Sequence, residues 1–456
     1  MDTSSWNGIG RRVALHNLAE LKAVHEDAKP APSFMEDTRS PELAETVLQK
    51  VVSLNAEGRS GEVRRQYDPA HAPFIPELEM GGRGLSQCAI LGPDEFLVCQ
   101  GTPFSEMTTW HIKDGSIEVC DPLQGFTWSR NRKFFLSIQH DGRLIVSRGF
   151  GETPLVSIPS VPGSAFIPEG LTEELRLRLE FPHDSATYTH ISISDDGEKI
   201  LLADFYRGVI LLSKRQSDWT HQLLFPSLTF GLEEQMREDL LADEKFRPFL
   251  DMLHAALSPD GRFAAFGTQT SGHHVVCLDD LETPTFLAEL GTYSDYPHDV
   301  CFSDDSLFLA TNSCSFYNGV TYVTKLTDIE DRSDKKERAS GEDVILNDYL
   351  RVYASGYLPL SMTAEETGAF LLAGAGFAAC VTPDRKLLWE VEFGSSAGDV
   401  DVCPSTGRVL IASYSGMLHL FDPSKRQEVP IFAGYQAPLE ERRWLFWDRL
   451  ERPIVW

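Results

Sequence analysis

One pattern limits what this chain can become: an alternating strand, a tight turn rich in Asp, Gly and Ser, and a second apolar strand, written repeatedly along it. Residues 190–203 read HISISDDGEKILLA and residues 254–267 read HAALSPDGRFAAFG. Looser copies are HDVCFSDDSLFLA at 298–310 and DVDVCPSTGRVLIA at 399–412. Weaker ones join Leu358–Thr363 to Gly368–Leu372 and Phe126–Ser129 to Lys133–Ser137, and the poorest spans Leu85–Val98. Alternation of period two on either side of such a turn specifies a β-hairpin. The hairpins start near residues 85, 126, 190, 254, 298, 358 and 399. The shorter intervals match one four-stranded propeller blade, and the longer ones are blades carrying insertions. A third strand ending on an acid follows several hairpins, at Thr109–Asp114, Val276–Asp279 and His419–Asp422. Sheets repeated radially bury both faces of each and close without long free edges, so seven hairpins predict a ring of seven.

The turn Ser258–Gly261 (SPDG) and the strand end Leu420-Phe421-Asp422 resemble the WD40 family, and Pro297–Val300 (PHDV) resembles YVTN-type blades, over roughly residues 80 to 435. The chain lacks the Gly-His pair and the Trp-Asp strand end of a strict WD40 repeat. The expected architecture is an all-β, seven-bladed β-propeller at residues 73–435, behind an N-terminal helical extension at 1–72. Leu15, Leu18 and Leu21, then Leu43, Val47, Val51 and Leu54, have the spacing of two short helices. A C-terminal tail, 436–456, sets Trp444, Trp447 and Leu450 at helical spacing and is expected to pack on the propeller. A strand at Pro73–Met80 or at Glu428–Ala433 would close the ring.

Long intervals place insertions at 151–181, 225–253 and 335–357, each just before an inner strand and so on one face. The middle one carries an amphipathic helix at about 231–252, a candidate lid. Aligning the repeats on their turns puts His190, His254, Asp299 and Asp399 at one position, with His298 one residue earlier in its blade. Imidazoles and carboxylates converging from several blades suit zinc, iron or manganese, with His190, His254 and His298 as ligands and Asp299 or Asp399 as ligand or base. The same position also suits plain hydrogen bonding to a neighbouring blade or to water. His183 with Asp184 is a secondary candidate. His273-His274 reads as an exposed pair in a hairpin turn, Gly374-Ala-Gly376 as a tight hairpin, and Asp331–Arg338 as a solvated mixed-charge loop.

Forty-one Lys and Arg against 68 Asp and Glu give a net charge of −27, which repels nucleic acid and anionic membranes alike. The first residues lack the apolar run of a signal peptide, and no stretch has the length of a membrane span. Eight cysteines, none in a CxxC pair, read as reduced and buried, which fits a cytoplasmic protein. No P-loop, GxSxG, HExxH or dinucleotide fingerprint stands in a suitable context. Two functions remain open: an intracellular platform for a protein partner, using the inserted face and the tail, and a metal-dependent enzyme acting on a small molecule at the channel mouth.

Overall fold

The computed structural model describes all residues except 1–2, 26–30, 32, 70–82, 103–104, 163–187, 206–207, 226–249, 270, 292–295, 316–317, 331–343, 348–350, 360, 362–364, 366 and 427–436. Nearly all of the expected helical insertion, both candidate closing strands, His183 with Asp184 and the mixed-charge loop lie outside the described residues. The chain divides into two compact units, one made of Met1–Thr102, Trp110–Val119 and Tyr353–Trp456, the other of Pro103–Thr109 and Cys120–Val352.

The second unit holds four antiparallel sheets, each a four-stranded meander in chain order, the building block of a β-propeller. They are β5 to β8 (Leu123–Trp128, Phe135–Gln139, Leu144–Ser147, Val156–Ile158), β9 to β12 (Tyr188–Ile193, Lys199–Asp204, Gly208–Arg215, Asp218–Phe225), β13 to β16 (His254–Leu257, Phe263–Gly267, His273–Cys277, Thr285–Leu290) and β17 to β20 (Tyr296–Phe302, Phe308–Ser315, Asn318–Lys325, Val344–Asn347). One turn chemistry opens every sheet. Ser129, Ser194, Ser258 and Ser303 each donate the backbone N–H to the carbonyl five residues on, at 2.8–3.0 Å. Each hydroxyl donates to the side chain two residues on (Asn131, Asp196, Asp260, Asp305; 2.5–2.9 Å) and accepts the N–H of the fifth residue. The third residue after each Ser is left-handed: Arg132 (φ 58°), Gly197 (73°), Gly261 (69°) and Ser306 (55°). This explains the glycine of the better copies, since a side chain at positive φ is disfavoured. Apolar residues of neighbouring sheets fill the spaces between them, as where Leu201, Leu211 and Val209 meet Leu257, Phe266 and Val276.

In the first unit, β1 to β4 (Leu85–Gly92, Glu95–Gln100, Thr108–Lys113, Ser116–Val119) form a fifth four-stranded sheet. The remaining strands make one seven-stranded sheet: β21 (Val352–Leu358), β22 (Ala369–Val381), β23 (Leu387–Val402), β24 (Val409–Ser413), β25 (Met417–Arg426), β26 (Pro438–Leu445) and β27 (Ile454–Val455). Seven separate blades were expected from the repeats, and five separate four-stranded sheets are present among the described residues. The cause is β23, sixteen residues long, which pairs with β22 between Leu387 and Ser396 and with β24 through Ala397–Val402. Gly376, within the expected hairpin of Gly374–Gly376, has φ 91° inside β22.

Helices α1 (Ser5–His25), α2 (Pro41–Ala56) and α3 (Val63–Gln66) precede the sheets, and α4 (Leu326–Glu330) belongs to the second unit. α2 starts where sequence chemistry puts it: Ser40 caps the Leu43 N–H and Pro41 opens the first turn. Its apolar stripe, Leu43, Val47, Val51 and Leu54, packs with Trp6, Trp447 and Trp456. The tail expected to be helical is strand instead, β26 pairing with β25 and then with β27, and Trp444 and Trp447 are buried.

Candidate functional site

The repeat alignment holds in register. His190 stands opposite Ala203, His254 opposite Gly267, Asp299 opposite Asn312 and Asp399 opposite Ala412, each four residues before its turn. The two units nevertheless separate these residues: His190, His254, His298 and Asp299 belong to the second, Asp399 to the first.

In the second unit the histidines gather at the strand starts. His254 Nδ1 lies 2.8 Å from the Met252 carbonyl, so it carries the proton, and Nε2 lies 3.0 Å from His273 Nδ1. Gly267 makes this possible. A Cβ there would lie 3.0 Å from His254 Nε2 and 2.7 Å from the Gly272 carbonyl, so only glycine lets the two rings meet across the intervening strand. His298 Nε2 accepts from Arg351 Nη2 at 3.0 Å, and His190 Nδ1 lies 3.2 Å from Thr189 Oγ1. Burial lowers every one of these imidazoles, His190 and His298 to about 4 and His273 to about 3, with His298, Arg351 and His274 respectively adding to it. Burial, and then His273, holds His254 well below the usual range. All four are neutral at pH 7 and act as hydrogen-bonding groups.

The other two members of the candidate set are carboxylates. Asp399 accepts the backbone N–H groups of Cys88 (2.8 Å) and Val400 (2.9 Å), while burial pushes its carboxyl to about 7. It ties β23 to β1, as does Asp401 through the Ile90 N–H at 2.7 Å. Asp299 is buried. Among the described residues no group of three or more His, Cys, Asp or Glu is arranged to hold a metal ion. Cys314 is buried in β18, and Cys403 takes the serine position of its turn, 3.3 Å from Ser405 Oγ. His273 and His274, expected in an exposed turn, are both buried in β15, with His274 packed among Phe225, Phe266 and Phe286.

At the opposite ends of the same inner strands the turns interlock. Asn131 bonds Asp195 through its N–H (2.8 Å) and its side chain (2.9 Å), Asp195 N–H reaches the Pro259 carbonyl (2.7 Å), and Asp260 N–H reaches Ser306 Oγ (3.2 Å). Arg130 then crosses from the β5 turn to that of β17, its Nε 3.0 Å from Asp304 Oδ1. Exposed carboxylates at the tips, Asp196, Asp260 and Asp305, stand one per sheet.

No family model and no curated protein matches the chain. Among solved structures it is similar to the β-propeller domain of Cps50 (Swd1) from Myceliophteria thermophila, at 11% identity over 74% of this chain and 96% of that one, with a TM-score of 0.45. At that score the likeness adds no argument to the strand order itself.

Proposed function

We propose that the protein is a seven-bladed β-propeller, the two halves of β23 serving the last two blades, and that it is a rigid platform for a protein partner. The interlocked rim of the second unit carries this reading. Four turns bonded to one another by side chains and by a crossing ion pair make a surface that loses little entropy on binding, the property a platform needs. The charge of −27 favours a protein over nucleic acid or an anionic membrane, and eight free thiols favour a reducing compartment such as the cytoplasm.

The rim supplies its own test. Asn131 already occupies in the first of the four turns the place that Asp196, Asp260 and Asp305 hold in the others, so Asp→Asn at those three positions keeps each turn bond and removes the charge. The triple variant is expected to keep the wild-type melting temperature and to lose the partner recovered by affinity capture with the wild-type protein. Undiminished capture of the same partner would refute the rim as the docking surface.

A further inference from the structure

β27 is the outermost strand of the seven-stranded sheet. Val455 stands opposite Trp444, and the N–H of the next residue, Trp456, donates inward to the Arg443 carbonyl at 2.8 Å. In an antiparallel ladder that alternation turns the N–H and C=O of Val455 outward, to where another strand would pair. No strand is there. The carboxamide of Asn55 takes both groups: Nδ2 donates to the Val455 carbonyl at 2.8 Å, and the Val455 N–H donates to Oδ1 at 2.9 Å. The second Nδ2 hydrogen goes to the Val51 carbonyl at 2.9 Å, which fixes the amide, because a flipped one would set oxygen against two carbonyls. Arg449 on Glu45 (2.9 Å) and Arg64 on the Trp456 carbonyl (3.1 Å) hold the same helices over this edge.

We infer that Asn55 is a one-residue stand-in for an eighth strand, and that it keeps β27 from pairing with β27 of a second copy of this chain. The second copy is the occupant the geometry names. An antiparallel Val455–Val455 pair exchanges the same two bonds that Asn55 now makes, around a two-fold axis, with no change in either edge. The strand and the residue after it, Ile454-Val455-Trp456, are β-branched and aromatic, a composition prone to edge pairing. Asn55 lies one residue from the end of α2, so the helical turn that covers Val455 is the last one.

Asn55→Ala is expected to retain the wild-type circular dichroism and to show a mass that rises with concentration in sedimentation velocity, under conditions where wild type does not. Val455→Pro added to that variant removes the outward N–H without costing a bond to β26 and is expected to restore wild-type behaviour. In wild type the Val455 amide is expected to exchange slowly with solvent, and in dilute Asn55→Ala rapidly. Should Asn55→Ala fail to fold, Asn55→Asp, which keeps the acceptor and loses the donor, is expected to associate more weakly but measurably. A folded variant whose mass never rises, association that survives Val455→Pro, or a rapidly exchanging Val455 amide in wild type would each overturn the inference.

Discussion

Glu440 is a buried anion in the first unit, surrounded by cationic and N–H groups. It is 2% exposed in β26, its carboxylate receives His419 Nδ1 at 2.7 Å and Arg443 Nε at 2.9 Å and Nη2 at 3.0 Å, and it forms an ion pair with Arg64, whose Nη2 lies 3.1 Å away. Burial alone would push its carboxyl up. Arg443, Arg64 and the His419 N–H outweigh that and hold it well below the carboxylate range. His419 is itself kept neutral by burial, lowered to about 4, so one anion faces two guanidiniums. Glu440→Gln leaves the shape and removes the anion. Arg443, 1% exposed, then loses the carboxylate that receives its Nε and Nη2, and removing one partner of a buried ion pair costs about 3–5 kcal/mol in comparable sites. For a body of this size that corresponds to a fall of about 6–20 °C in melting temperature. Urea unfolding followed by the fluorescence of Trp444 and Trp456, which are buried in the same unit, reads the loss. A second arm tests the mechanism: Glu440→Leu combined with Arg443→Met removes anion and cation together and is expected to recover a large part of the stability. A loss below about 1 kcal/mol for Glu440→Gln would refute the reasoning, because the carboxylate would then have been carrying no uncompensated charge.

Three further outcomes follow from the second unit. Its stability is expected to fall as pH drops from about 6.5 towards 4, because the depressed imidazoles of His190, His273 and His298 stay neutral while the same groups in the unfolded chain take up protons. The slope is about 1.4 kcal/mol per pH unit for each such histidine, and a urea midpoint that is less sensitive to acid in His190→Gln than in wild type checks it. Gly267→Ala forces a Cβ against the Gly272 carbonyl and His254 Nε2, and is expected to cost about 1–3 kcal/mol and to separate the two rings, seen as a changed His254 imidazole signal by NMR. Arg130→Met removes the ion pair that crosses from the β5 turn to the β17 turn and is expected to cost about 1–3 kcal/mol in urea. A change within about 0.5 kcal/mol would show that the pair is an ordinary surface contact.

The repeat was legible because its signal is local. A serine, an acid or amide two residues on and a left-handed third residue can be read from four letters, and the structure places that turn in each of the four sheets of the second unit. The same locality explains the misreadings. The tail looked helical because Glu440 and Arg443 are buried in β26, where a strand pattern calls for apolar residues, and a bulge opposite Leu420 and Phe421 breaks the alternation further. His273 and His274 looked exposed because Thr268–Gly272 is rich in turn residues, yet β15 begins immediately after them. Nothing local announces the His254–His273 contact. Its one trace is a glycine opposite His254, meaningful only once the pairing of β13 with β14 is known. Five separate four-stranded sheets, and not seven, are present among the described residues because β23 continues from one sheet half into the next with no turn between them.

The bonds from Cys88 to Asp399 and from Ile90 to Asp401 each span 311 residues of chain. At the usual rate of synthesis, about 5–20 residues per second, the strand holding those two amides emerges roughly 15–60 s before the carboxylates that receive them. Throughout that interval β1 is a finished strand with an open flank, presented to everything around the ribosome. The hazard to this protein is therefore concentrated in its birth, and a slow stretch of translation between the first sheet and Asp399 would lengthen it in direct proportion.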